Sequence, residues 1–94
     1  MQSFLKIAAE SLREQLAGAT ILLFGSYAKG EDTNTSDMDI AVIGRKQKVL
    51  DLKKFESALH RQININFYTS WTEIDRHLKN NILNGILLNG SVDL

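Results

Sequence analysis

The sequence predicts an α/β or α+β fold in which a sheet of about four strands is covered by helices. Apolar residues at helical spacing alternate along the chain with short apolar runs of strand length. Glycines and short polar clusters punctuate the junctions. One strand opens on two acids a single residue apart, which strand-forming sequence seldom carries.

Phe4, Leu5, Ala8, Leu12 and Leu16 define one face of a helix over about residues 3–17, with Gly18 as its stop. Thr20–Phe24 is continuously apolar, as a buried strand would be. Gly25-Ser26 breaks it, a short helix is expected over 26–29, and six polar residues over 31–36 read as a loop. Met38, Ile40 and Val42 alternate with Asp37, Asp39 and Ala41 in a second strand that runs to Ile43. Val49, Leu52, Phe55 and Leu59 mark a second long helix. Ile63, Ile65 and Phe67 alternate with Asn64, Asn66 and Tyr68 in a third strand. Ser70-Trp71-Thr72-Glu73 fits a capping box, in which a hydroxyl and a carboxylate three residues later satisfy the free N–H groups of a helix start. Trp71, Ile74, Leu78 and Ile82 then keep helical spacing, the Asn-rich stretch from Asn80 to Gly85 ends that helix, and 85–90 forms a last strand.

The chain has 94 residues, which suits a single domain over 1–94. A chain this short buries about 60–65% of its unfolded surface, so its stability should be modest. Eleven basic and eleven acidic residues cancel, so charge does not indicate nucleic acid or an anionic membrane as the main partner. With no cysteine, disulfides and thiolate metal sites are excluded. No apolar run approaches the length of a membrane span, and the N-terminus lacks the pattern of a signal peptide, so a cytoplasmic protein is expected.

The stretch LLFGSYAKGEDTNTSDMDIAVI, from Leu22 to Ile43, carries the chemistry. A strand that ends in Gly-Ser and turns into a helix points backbone N–H groups outward, where they and the helix dipole favour phosphate. Asp37 and Asp39 lie on one face of the next strand, roughly 6.5–7 Å apart by Cα. Two carboxylates that close repel unless a cation sits with them. Hard oxygen ligands suit Mg²⁺, with Mn²⁺ as a substitute, and such an ion accepts phosphate oxygens as further ligands. Paired ions bridged by shared carboxylates can align an in-line phosphoryl transfer. A nucleoside triphosphate with Mg²⁺ needs both the phosphate cradle and the metal site.

Gly25-Ser26-Tyr27-Ala28-Lys29-Gly30 and Ser36-Asp37-Met38-Asp39-Ile40 resemble the "GSxAxG" and "SDxDI" signatures of the minimal nucleotidyltransferases, small relatives of the DNA polymerase β superfamily. Ten residues separate the Gly-Ser pair from Asp37. The resemblance implies a mixed sheet and transfer of a nucleoside monophosphate from a triphosphate, ATP first among them, to a hydroxyl acceptor. It gives Gly25 and Ser26 the β- and γ-phosphates, and Asp37 and Asp39 the metals. Lys29 either adds charge near the phosphates or stands solvated.

The family usually has a third carboxylate on the next core strand. Counting back from the turn at Thr69-Ser70, its expected position here is Asn66, with Asn64 on the same face as second choice. An amide ligates a metal weakly and is a poor base, and base assistance is worth about 10²–10⁴ in rate. Glu56, Asp51, Glu73 and Asp75 are the candidate substitutes. His60 and His77 read as structural or surface residues. No acceptor-binding domain fits within this length, so the acceptor must come from another molecule. In the family that molecule is often a HEPN-domain protein, and some minimal members act as antitoxins that modify this partner with AMP. Two readings stay open: an Mg²⁺-dependent enzyme, or a degenerate module that neutralises a HEPN partner by contact. An exposed last strand makes a homodimer a further expectation.

Overall fold

The computed structural model describes residues 2–25 and 37–92, apart from the side chains of residues 2–5 and of Leu59. The expected helix over 26–29, the loop over 31–36, and Ser26 and Lys29 fall outside the described residues, as do the side chains of Phe4, Leu5 and Leu59. In chain order the elements are α1 (Gln2–Gln15), β1 (Thr20–Phe24), β2 (Met38–Ile43), α2 (Lys53–Leu59), β3 (Ile63–Tyr68), a 3₁₀ turn (Trp71–Glu73), α3 (Arg76–Leu83) and β4 (Ile86–Asn89). The strands form one mixed sheet in the order β3-β2-β1-β4. β1 is antiparallel to both β2 and β4, whereas β2 and β3 run parallel.

The periodicities of the sequence decide which side chains go where. Ala8 and Leu12 lie one above the other along α1, Leu16 follows just past its end, and all three are buried. Leu12 and Leu16 meet Ile21 and Leu23 of β1 and Met38, Ile40 and Val42 of β2, with Ile63, Ile65 and Phe67 of β3 packed alongside. The other face of the sheet carries Leu22, Phe24, Ala41 and Ile43, covered by Ile74 and by Ile82 of α3. β1 and β2 are thus buried on both faces, which is why β1 is apolar at every position after Thr20. β3 and β4 are the edges. Ile86 and Leu87 of β4 remain nearly half exposed, at 46% and 45%.

Two expectations are corrected. The second long helix does not begin at Val49: residues 46–52 are irregular, α2 has seven residues, and Val49 is 94% exposed. The Asp51 carboxylate accepts the Lys53 N–H at 3.3 Å, a local bond that starts the helix there and competes with its extension upstream. Leu52 and Phe55 keep their places against the core, while Arg45 and Lys48 donate to the Gln15 carbonyl at the C-terminus of α1.

Nor does the capping box form. Ser70 Oγ pairs with Thr72 Oγ1, and the Glu73 carboxylate accepts from the Thr69 N–H at 3.1 Å and from the Thr69 hydroxyl. These bonds hold Glu73 below the usual carboxylate range, only partly opposed by desolvation. Residues 71–73 therefore make a single 3₁₀ turn. α3 starts at Arg76, capped by Asp75, whose Oδ1 accepts from the Leu78 N–H at 3.0 Å. Asn84 closes α3, as the Asn-rich stretch implied.

Candidate nucleotide and metal site

The site forms where β1 ends and β2 begins. In the antiparallel register Phe24 lies opposite Asp39, so Gly25 emerges from β1 beside the start of β2. Gly25 has φ of +86°, a conformation that side chains with a Cβ rarely adopt. A Cβ at this position would also lie 2.6 Å from Asp39 Oδ2. Glycine is required twice over: for the turn, and for the close approach of backbone to carboxylate.

Asp37 is exposed just before β2, and Asp39 is half-buried within it. Both are on the face that α3 covers farther along, but that cover stops short of them. Ala41, two residues on from Asp39, is fully buried beneath it.

The parallel register settles which asparagine joins the pair. Met38 lies opposite Ile63, Asp39 opposite Asn64 and Ala41 opposite Asn66. Asn64 Nδ2 donates to Asp37 Oδ2 at 3.3 Å and to Asp39 Oδ1 at 3.4 Å. Asn66 is exposed one pleat away beside Ala41, so the first choice for the third position is corrected in favour of the second. Counting from the turn failed because β2 and β3 stay in register up to Ile43 and Tyr68, which puts Asn66 too near the far end of the strand.

The other candidate acids are engaged elsewhere. Glu56 Oε2 accepts from the Ile63 N–H at 2.8 Å, Asp51 starts α2, Glu73 holds Thr69 and Asp75 caps α3. Among the described residues no group of three or more His, Cys, Asp or Glu side chains could hold a metal. His60 caps α2 in a left-handed conformation and, like His77, is exposed. A surface hollow of about 380 Å³, lined by Val49, Leu52, Ile65 and Phe67 among others, does not touch Asp37 or Asp39.

Among the described residues the site thus offers two carboxylates, one amide and the backbone of Gly25 at the end of β1. That donor set fits an octahedral cation that keeps several waters and takes its remaining ligands from a phosphate.

The model of the polymerase beta nucleotidyltransferase family matches residues 7–91. The chain belongs to this family. Three solved structures share the family's fold with it. One is a toxin-antitoxin with AMP-PNP, 28% identical over 94% of this chain and 73% of that one, with a TM-score of 0.63. Another is a provisionally assigned minimal nucleotidyltransferase, 26% identical over 86% of this chain and 85% of that one, with a TM-score of 0.54. The third, a provisionally assigned nucleotidyltransferase from Sulfolobus solfataricus, is 22% identical over 93% and 78% of the two chains, with a TM-score of 0.50. That last likeness speaks for the fold alone. None of the curated proteins matches the chain. Among the described residues no helix is long and apolar enough to cross a membrane.

The sequence motif picked out Gly25, Asp37 and Asp39, and the fold brings these three together. The amide contact of Asn64 was legible only as a second choice, because alternation gives a strand's face but not its offset from its neighbour.

Proposed function

We propose that this chain binds a nucleoside triphosphate, with ATP the first candidate, together with Mg²⁺ or Mn²⁺ at Asp37 and Asp39. It then transfers the nucleoside monophosphate to a hydroxyl on a partner protein. The observation that carries this reading is the contact geometry at Gly25. A Cβ at Gly25 would lie 2.6 Å from Asp39 Oδ2, so the end of β1, where the motif expects phosphate, lies beside the expected metal ligand, which supports a shared site. The bound ion would neutralise phosphate charge and polarise the reacting phosphoryl group. Ser26 and Lys29 enter on the sequence motif, as further phosphate contacts.

In the transfer, the acceptor oxygen bonds to the α-phosphorus and the bond to pyrophosphate breaks. The acceptor proton leaves to solvent, because Asn64 is no base and the other acids considered are held elsewhere. Transfer should therefore be slower than in a site with base assistance, by about 10²–10⁴. The partner assignment draws on the toxin-antitoxin neighbour, itself a structure with AMP-PNP, and on the family's pairing with HEPN-domain proteins.

One observation favours a second reading. The Asn64 amide occupies the position beside the aspartates, which suits a module that retains nucleotide but neutralises a HEPN partner by binding alone.

Two measurements test these readings. Calorimetry should show ATP binding at least about tenfold tighter with Mg²⁺ than with chelator, and Asp37→Asn with Asp39→Asn should erase that difference. Equal binding with and without metal in the parent protein would refute the site. Label from α-³²P-ATP should appear on the co-expressed HEPN partner if transfer operates. Neutralisation without label would establish the second reading.

A further inference from the structure

We infer that the site takes a single divalent ion on the nucleotide side, and that Asn64 closes the position a second ion would occupy between the aspartates and β3. This rests on the metal reading of Asp37 and Asp39.

The four carboxylate oxygens are not equivalent. Asn64 Nδ2 donates to Asp37 Oδ2 and Asp39 Oδ1, the two oxygens that face β3. Asp39 Oδ2 faces the other way, toward Gly25 and the end of β1. Among the described residues, no hydrogen bond is made to Asp39 Oδ2 or to Asp37 Oδ1. Among the described residues one oxygen of each aspartate thus has no donor and could meet an ion that also meets phosphate, while the other oxygen of each accepts from the Asn64 amide.

A second ion would need three things on the β3 side: both of the engaged oxygens and an anionic ligand from β3. Asn64 supplies a neutral group there and presents N–H rather than oxygen. Flipping the amide would offer one weak neutral ligand and remove the donor that now offsets carboxylate repulsion. The nearest acid of α2, Glu56, cannot replace it without releasing the Ile63 N–H at the start of β3. On this face the next rung is Ala41 with Asn66, one pleat away, so Asn64 is the polar residue of β3 that lies beside the pair.

The test counts ions directly. Crystals of the parent protein and of Asn64→Asp, each grown with AMP-PNP and Mn²⁺, would be compared by anomalous scattering. The inference expects one Mn²⁺ peak in the parent, bounded by the aspartates and phosphate, and two in the variant. In solution, Mn²⁺ with AMP-PNP should raise the melting temperature of Asn64→Asp more than that of the parent. Without metal the variant should melt lower, because a third carboxylate adds repulsion. Two peaks in the parent would overturn the inference outright, whether or not the variant folds. One peak in both proteins would leave the single ion but refute the role of Asn64. No peak at the aspartates in either would instead refute the metal reading on which the inference rests, and the inference with it.

Discussion

Asp39 and Ala41 are neighbours on the same face of the same strand, yet they live in different surroundings. Ala41 is sealed beneath Ile74 and Ile82, while Asp39, one pleat back, looks out beside Gly25. On β3 the matching rungs are Asn66 and Asn64, and only Asn64 turns its amide to a carboxylate. The contrast teaches that the strand does not make the site. The site lies where α3 stops covering the sheet. A carboxylate in the place of Ala41 would be buried without a partner, at a cost of several kcal/mol. At Asp39 the same group keeps its contact with water and with any ion that arrives.

The contrast can be broken from its covered end. Ile82 is fully buried in the α3-side cluster, so Ile82→Ala should cost about 2–5 kcal/mol in urea unfolding. Metal-dependent nucleotide binding by the remaining folded protein should survive, since the aspartates do not rest on Ile82. Loss of that binding in fully folded variant would show that the two ends are coupled.

Gly25→Ala attacks the open end. It places a Cβ residue at a φ of +86° and forces Asp39 Oδ2 to move. The backbone strain should cost about 1–2 kcal/mol of stability. The Mg²⁺ enhancement of ATP binding, read by calorimetry, should fall in excess of any effect of that strain. Unchanged metal enhancement in a destabilised variant would reduce Gly25 to a turn residue.

The smallest effect belongs to Tyr68, at the far end of β3. Burial first, and then the nearby Asp75 carboxylate, raise its phenol above the ordinary 10.0. The unfolded chain therefore loses this proton before the folded one does. The resulting stability is fully present below about pH 10 and is lost as pH rises through the folded value. Melting curves between about pH 9 and 11 should fall less steeply for Tyr68→Phe than for the parent, with Tyr27 common to both. Parallel curves would mean that Tyr68 is as solvated as an unfolded tyrosine.

Much of this organisation is legible in the residues themselves. The unbroken apolar run of β1 reflects burial on two faces and the alternation in β3 a partly covered edge, while β2 is buried on both faces and departs from apolar character only at Asp39. Gly25, Asp37 and Asp39 stand out because each breaks a local rule that the surroundings would otherwise impose. What stays hidden depends on distances between segments. Asn64 and Asn66 are indistinguishable by alternation, and only the pairing of Met38 with Ile63 separates them. Val49 continues a helical period by coincidence, since a local bond from Asp51 decides where α2 starts. Glu73 reaches Thr69 rather than the backbone of Ser70, a competition between two adjacent donors that a four-residue pattern does not contain.

The strand order has a consequence for biosynthesis. β1 emerges from a ribosome well before β4, one of its two neighbours, and the Asn89 side chain reaches back 70 positions to the Ala19 carbonyl. Until β4 arrives, a nascent chain carries an apolar strand with one open edge, the kind of surface that recruits other strands and chaperones. Even after β2 has paired, the half-built sheet stays adhesive along Ile21, Leu22 and Leu23. The open edge of β1 is closed by a strand of only four residues, so a short late pairing protects the centre of the sheet.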